Sequence, residues 1–121
     1  MTANSFPRVA VAGGGSWGTA LSHVLAVAGH ETALILRDEK VAQAINERHE
    51  NPRYLPGKPL HPGVAAVTDV SVLRHCETLV LAVPCQHQRR WLQSVRDILP
   101  SGVTVVNASK GLENDTCLPM S

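Results

Sequence analysis

The amino-acid sequence predicts an α/β protein, a parallel sheet doubly wound by helices on both faces. Three observations predict it. Short apolar runs alternate along the chain with stretches of helical periodicity, the pattern of repeated βα units. The hydrophobic share is 44% but aromatic residues are only 3%, so the core is built from Val, Ala, Leu and Ile. Such small and β-branched residues suit strands covered on both faces. Finally, the first apolar run stops at a glycine cluster, Gly13-Gly14-Gly15-Ser16-Trp17-Gly18, from which the first helical stretch departs.

Taken in order, Arg8 to Ala12 is a short apolar run that ends at glycines, as a buried central strand does. Ser16 to Ala28 places Ala20, Leu21, Val24, Leu25 and Ala28 at helical spacing, and Gly29-His30 supplies a stop. Thr32 to Leu36 reads as a second strand, completing a βαβ unit over 8–36. Asp38 to Glu50 mixes charged and apolar residues and predicts a more solvated helix. Asn51 to Gly63 carries Pro52, Pro56, Pro59 and Pro62, so it predicts an ordered, irregular connection. Val64 to Thr68 is a short strand, followed by a brief helix around Asp69 to His75. Thr78 to Val83 is a further strand, ended by Pro84. A helix over Gln88 to Leu99, closed by Pro100-Ser101-Gly102, leads to a last strand at Val103 to Asn107. Trp91 is expected in the core, and another helix is expected to start near Thr116.

A chain of 121 residues fits one domain, taken as 1–121. A formal net charge of +1 provides no general field for nucleic acid or an anionic membrane, so any anion binding must be local. No apolar run approaches the ~20 residues of a membrane span. Cys76, Cys85 and Cys117 are isolated, and an odd count without a secretory signal points to a reducing, cytoplasmic setting. The six histidines show no i, i+4 pair of the kind that builds a helical metal site.

The glycine cluster carries the chemistry. GxGxxG between a strand and a helix within a βαβ unit marks a Rossmann-type dinucleotide-binding domain. In that arrangement Gly13 turns the chain, Gly15 keeps a Cβ away from a pyrophosphate, and Gly18 lets helix and strand pack closely. The N–H groups of Ser16, Trp17 and Gly18 face the anion, with the helix dipole behind them. At the end of the second strand, an acidic residue reads the ribose 2′-OH of NAD, whereas an arginine accommodates the 2′-phosphate of NADP. Arg37 arrives there, followed by Asp38. Arg37 favours NADP or the use of both cofactors; the alternative gives Asp38 the ribose and leaves Arg37 a solvated charge.

Two further residues fall at the carboxyl edge, where such sheets bind ligands. His87 follows the strand ending at Val83, either to stack on the cofactor or to sit in an exposed loop. Lys110, within Ser109-Lys110-Gly111, follows the last strand and is placed to hold a phosphate or carboxylate of a substrate near the nicotinamide. Arg89-Arg90 reads as a solvated helix start.

Together, Gly13 to Leu21, the Glu50-Asn51-Pro52-Arg53-Tyr54-Leu55-Pro56-Gly57 segment, Ala82-Val83-Pro84-Cys85-Gln86 and Ser109-Lys110-Gly111-Leu112-Glu113 resemble the NAD(P)-dependent glycerol-3-phosphate dehydrogenases, in that family's order and approximate spacing. The resemblance implies reversible hydride transfer between NAD(P)H and dihydroxyacetone phosphate, giving sn-glycerol 3-phosphate for phospholipid synthesis. It implies cofactor contacts at Ser16 and Trp17, a selector at Arg37, and a lysine, Lys110, that touches cofactor and substrate. His87 stands where some members place an aromatic residue. Family members continue into a C-terminal helical domain carrying the catalytic lysine, so the expectation is an N-terminal domain lacking that helical domain and the acid/base group, with a cut edge that favours self-association. Two other readings stay open: a non-catalytic dinucleotide-binding module, and the Rossmann domain of a hydroxy-acid or hydroxyacyl dehydrogenase.

Overall fold

The computed structural model describes residues 7–13 and 15–108. Five strands form one parallel sheet: β1 (Val9–Ala12), β2 (Thr32–Ile35), β3 (Val64–Val67), β4 (Thr78–Leu81) and β5 (Thr104–Asn107). Their order across the sheet is β3-β2-β1-β4-β5. The chain runs outward in one direction from β1 and then reverses to β4, so the switch point lies between β1 and β4. This is the doubly wound, Rossmann-type arrangement that the sequence predicts.

Side chains alternate across the sheet and seed two cores. Val11, Leu34, Ala66 and Val80 face α1 (Ser16–Val27) and α2 (Glu39–Arg48), where Ala26, Val41 and Ile45 close the layer. Ala10, Ala12, Leu79 and Leu81 face the other way, towards the 3₁₀ segment Val70–His75 and α3 (Cys85–Val95), and are covered by Leu73 and Val95. Cys76 belongs to this second core. Burial pushes its thiol pKa up, outweighing a backbone hydrogen bond that pulls it down, so it stays a neutral, inert thiol. The outer edge of β3 is closed by Asn46 of α2, whose amide donates to Ala66 O (2.9 Å) and accepts from Ala66 N (2.8 Å).

Three expectations need correction. The buried face of α1 is Gly18, Thr19, Ser22 and Ala26, with Leu21 and Leu25 half-buried beside it, whereas Val24 is 60% exposed and Ala28 is also exposed. Small residues win because the helix lies close to the sheet, and the two hydroxyls are satisfied: Ser22 donates to Gly18 O (2.9 Å), and Thr19 accepts from Asn51 (2.8 Å). Next, α3 begins at Cys85 rather than Gln88 and ends at Val95 rather than Leu99. β4 stops at Leu81, short of Val83, and Pro84 stands as the N-cap of the helix, where a missing N–H costs nothing. His87 is therefore helical, not in a loop. Third, Trp91 is half-buried: it packs on the second core but also lines a cavity. The helix expected near Thr116 lies outside the described residues.

The helix ends follow local chemistry. α1 stops in a Schellman motif, with Gly29 at φ 101, Gly29 N donating to Ala26 O and His30 N to Leu25 O. α2 ends instead on His49 at φ 56, a left-handed conformation that disfavours a side chain. Among the described residues, its buried Nδ1 has no hydrogen-bond partner.

Two stability predictions follow from these contacts. A Cβ on Gly18 would lie 1.8 Å from Gly13 O, a backbone atom that cannot step aside. Gly18→Ala should therefore destabilise by about 2 kcal/mol on chemical denaturation, because overpacking of about 3 kcal/mol outweighs the gain of about 1 kcal/mol in helix propensity. A stabilised Gly18→Ala variant would refute the close packing. His49→Gly should raise the unfolding free energy by about 1 kcal/mol in the same assay by relieving the left-handed strain.

Candidate functional site

A cavity of about 800 Å³ opens at the carboxyl ends of β1, β2 and β4, beside the switch point, within the range of small-molecule sites. Gly13, Gly15 and Ser16 form its floor, Ala82, Val83 and Pro84 one side, and Leu36, Arg37 and Asp38 another. The floor is shaped by backbone. Gly13 adopts φ 120, its N donates to Ile35 O (2.9 Å), and a Cβ there would lie 2.8 Å from Ala82 O. Gly13 therefore tolerates no side chain. Gly15 differs: its φ of −72 suits any residue, and a Cβ there would meet no atom of the described residues within 4 Å. Because Gly15 lines the cavity, a side chain there would take up cavity space.

Two helices start at this cavity without side-chain caps. α1 is entered through Gly15 and α3 through Pro84; neither has a capping side chain or an acidic residue in its first turn. Among the described residues no side chain takes up their leading N–H groups, of which only that of His87 has a backbone acceptor, Pro84 O, and their positive dipole ends face the cavity. α2 contrasts with both. Asp38 caps it, with Oδ1 accepting from Lys40 N (2.9 Å) and Val41 N (3.4 Å), and Glu39 occupies its first turn.

The structure brings most of the expected site residues together. Gly13, Gly15, Ser16, Arg37 and His87 line one cavity. Arg37 is exposed, while Asp38 caps its helix through Oδ1 and lies 3.3 Å from Arg53 through Oδ2. His87 lies in the first turn of α3, its N–H donating to Pro84 O (2.8 Å). Trp17 and Gly18 stand behind the floor. Gly18 packs on Gly13 and Ala82, and the Trp17 indole N–H donates to Ala108 O, tying the glycine loop to the end of β5. Lys110 and Gly14 lie outside the described residues. Among the described residues no group of three or more His, Cys, Asp or Glu side chains could hold a metal ion, and no helix is long and apolar enough to cross a membrane.

Sequence reasoning missed the hub at Asn51. This residue is fully buried, and its amide donates to Thr19 Oγ1 across 32 positions of sequence. Its Oδ1 accepts from Arg53 N (3.1 Å) and Tyr54 N (3.0 Å), and its backbone bridges to Leu55. Asn51 thereby fastens a proline-rich connection to α1 and holds Arg53 and Tyr54 at the cavity wall. An Asn followed at once by Pro, before a Tyr-Leu-Pro run, is a turn signal that marks this spot. Gln88 was also missed. Buried in α3, it donates to Val83 O (3.0 Å) and exchanges amide hydrogen bonds with Asn107 (both 3.2 Å), locking α3 to β5 below His87.

The comparisons agree with this geometry. The family model described as NAD-dependent glycerol-3-phosphate dehydrogenase N-terminus matches residues 8–121. A glycerol-3-phosphate dehydrogenase [NAD(P)+] from Desulfovibrio desulfuricans is 58% identical over 105 residues, covering 87% of this chain and 31% of the relative. One from Nitratidesulfovibrio vulgaris is 49% identical over 109 residues, covering 89% and 33%. Among solved structures, a glycerol-3-phosphate dehydrogenase from Plasmodium falciparum superposes with a TM-score of 0.75 at 29% identity, over 86% of this chain and 32% of that one. The chain thus spans about a third of the length of the relatives it matches. By the match over 8–121, the chain belongs to the NAD-dependent glycerol-3-phosphate dehydrogenase family, and it corresponds to that family's N-terminal region.

Proposed function

We propose that this chain is the cofactor-binding part of an sn-glycerol-3-phosphate dehydrogenase, holding NADP or NAD for reversible reduction of dihydroxyacetone phosphate on a route to glycerophospholipids. The observation that carries the reading is the open cradle at Gly15, flanked by two helix starts without side-chain caps at the switch point of the sheet. A dinucleotide fits the cradle: its diphosphate needs N–H donors without a Cβ in the way, and the cavity is roomy enough to take the adjoining groups. When bound, the nicotinamide supplies the hydride.

The chain's own residues bind and orient. Gly13 and Gly18 set the loop, Gly15 leaves the space, and the N–H groups of Ser16, Trp17 and Gly18 hold the diphosphate. Arg37 reads the 2′-phosphate at the end of β2. His87 lies against the cofactor at the start of α3. Lys110 bridges cofactor and substrate phosphate. Proton transfer to the carbonyl oxygen is assigned to no residue of this chain. The setting is cytoplasmic and the assembly a homodimer, with neither nucleic acid nor membrane as partner.

Two substitutions test this reading. Gly15→Ala should fold with wild-type stability, because its Cβ meets only open space, yet bind NADPH and NADH at least tenfold more weakly by titration calorimetry. Unchanged binding would show that the cradle holds nothing. Arg37→Ala should weaken NADPH by roughly 1.5–3 kcal/mol, the range for a hydrogen bond to a charged group, and leave NADH nearly unaltered. Equal losses for both cofactors would remove Arg37 as selector.

A further inference from the structure

Arg37 is not the only guanidinium at its end of the cavity. Arg53 lines the same cavity, reaching it from the connection between α2 and β3. Its main chain is fixed, since Arg53 N donates to Asn51 Oδ1 (3.1 Å) and Asn51 is buried against Thr19. Its head group is held more loosely. One guanidinium nitrogen lies 3.3 Å from Asp38 Oδ2, and the guanidinium carbon stands 5.3 Å from the centroid of the Tyr54 ring. The Arg53 and Asp38 side chains remain 61% and 40% exposed, so the ion pair between them is screened by water and contributes little. A rigid base with a weakly committed planar cation is suited to exchange one acceptor for another.

We propose that Arg53 is a second specificity-determining residue, closing with Arg37 on the 2′-phosphate of NADP, and that the Asp38 carboxylate holds its place when no phosphate is bound. The proposal rests on the dinucleotide reading above and adds to it. A phosphate offers three acceptor oxygens and about twice the charge of a carboxylate, and a guanidinium fork binds it in bidentate fashion. Arg53 also answers a difficulty in the site. Asp38 lies beside Arg37 and would by itself repel a phosphate; the neighbouring guanidinium offsets that carboxylate. Asp38 meanwhile keeps its bonds to Lys40 N and Val41 N, so α2 stays capped whether or not Arg53 is turned away. With NAD, the ribose hydroxyl presents no competing anion and Arg53 stays on Asp38.

The test titrates the chain with NADPH and with NADH, following tryptophan emission from Trp17 and Trp91. It compares wild type with Arg53→Ala, Arg53→Gln and Asp38→Asn, each checked by circular dichroism. Arg53→Ala and Arg53→Gln should each weaken NADPH by about tenfold to a hundredfold, as expected for a lost charged hydrogen bond, and change NADH less than twofold. Arg53→Gln keeps most of the side-chain stem, so it carries the test if the alanine variant misfolds. Asp38→Asn retains a good helix cap while removing the competing charge, and should tighten NADPH severalfold. Equal weakening of both cofactors by the Arg53 variants, or unchanged NADPH binding, would overturn the proposal and leave Arg37 and the glycine cradle standing. A wild-type chain that binds neither cofactor would instead overturn the dinucleotide reading itself.

Discussion

The site depends on how closely α1 approaches β1. Gly18 presents its backbone to Gly13 O at a distance no side chain could share, and Gly13 in turn sits under the Ala82 carbonyl at the end of β4. This stack of main-chain atoms brings the first turn of α1 to the crevice where the sheet changes direction. A helix held a few ångströms further out would leave its N–H groups pointing at solvent. The same closeness explains why α1 buries Gly18, Thr19, Ser22 and Ala26 rather than its larger aliphatic residues. Small size, not hydrophobicity, is what the contact selects.

That selection also explains what could be read from the sequence. The strands were legible because parallel strands buried on both faces are apolar at nearly every position, and β1, β2 and β4 have that character. The glycine loop was legible because each glycine answers a backbone requirement that leaves little choice of residue. The face of α1 was not, since Thr19 and Ser22 look polar until their hydroxyls are traced to Asn51 and Gly18 O. Periodicity counts apolar side chains and cannot see a hydroxyl satisfied by tertiary contact. The start of α3 was misplaced because Pro84, which reads as a stop, is the N-cap from which the helix departs.

The Asn51 hub shows the limit most clearly. Its partners lie at Thr19, far back in the chain, and at Arg53 and Tyr54 just ahead. The motif that contains it points to a family by its letters, but the letters do not say what the asparagine does. The fold supplies the reason. A connection carrying four prolines is pinned at several points, Leu60 N on His49 O and His61 N on His23 of α1 among them, and the buried Asn51 amide, with both its oxygen and nitrogen engaged, fixes its start. Fastening that connection to α1 ties the wall of the cavity to its floor, so residues from the two sides keep their spacing.

The charges of the site are arranged along the same lines. The chain as a whole carries a formal net charge of only +1, so attraction for an anion has to come from particular groups. Three helices begin at one edge of the sheet, and they are treated differently. α1 and α3 lack side-chain caps and offer their N–H groups, whereas α2 is neutralised by its own Asp38 and Glu39. Backbone therefore supplies the positive potential beside the glycine loop, where every dinucleotide carries the same diphosphate. Beside β2 the backbone is silent, and the potential comes from side chains, Arg37 and Arg53 set against Asp38. Because Gly13 and Gly18 are fixed by packing and these side chains are exposed, a change at the second region leaves the first intact. On the reading proposed above, affinity for dinucleotides as a class and preference among them rest on separate atoms, so that a surface substitution beside β2 leaves the core undisturbed.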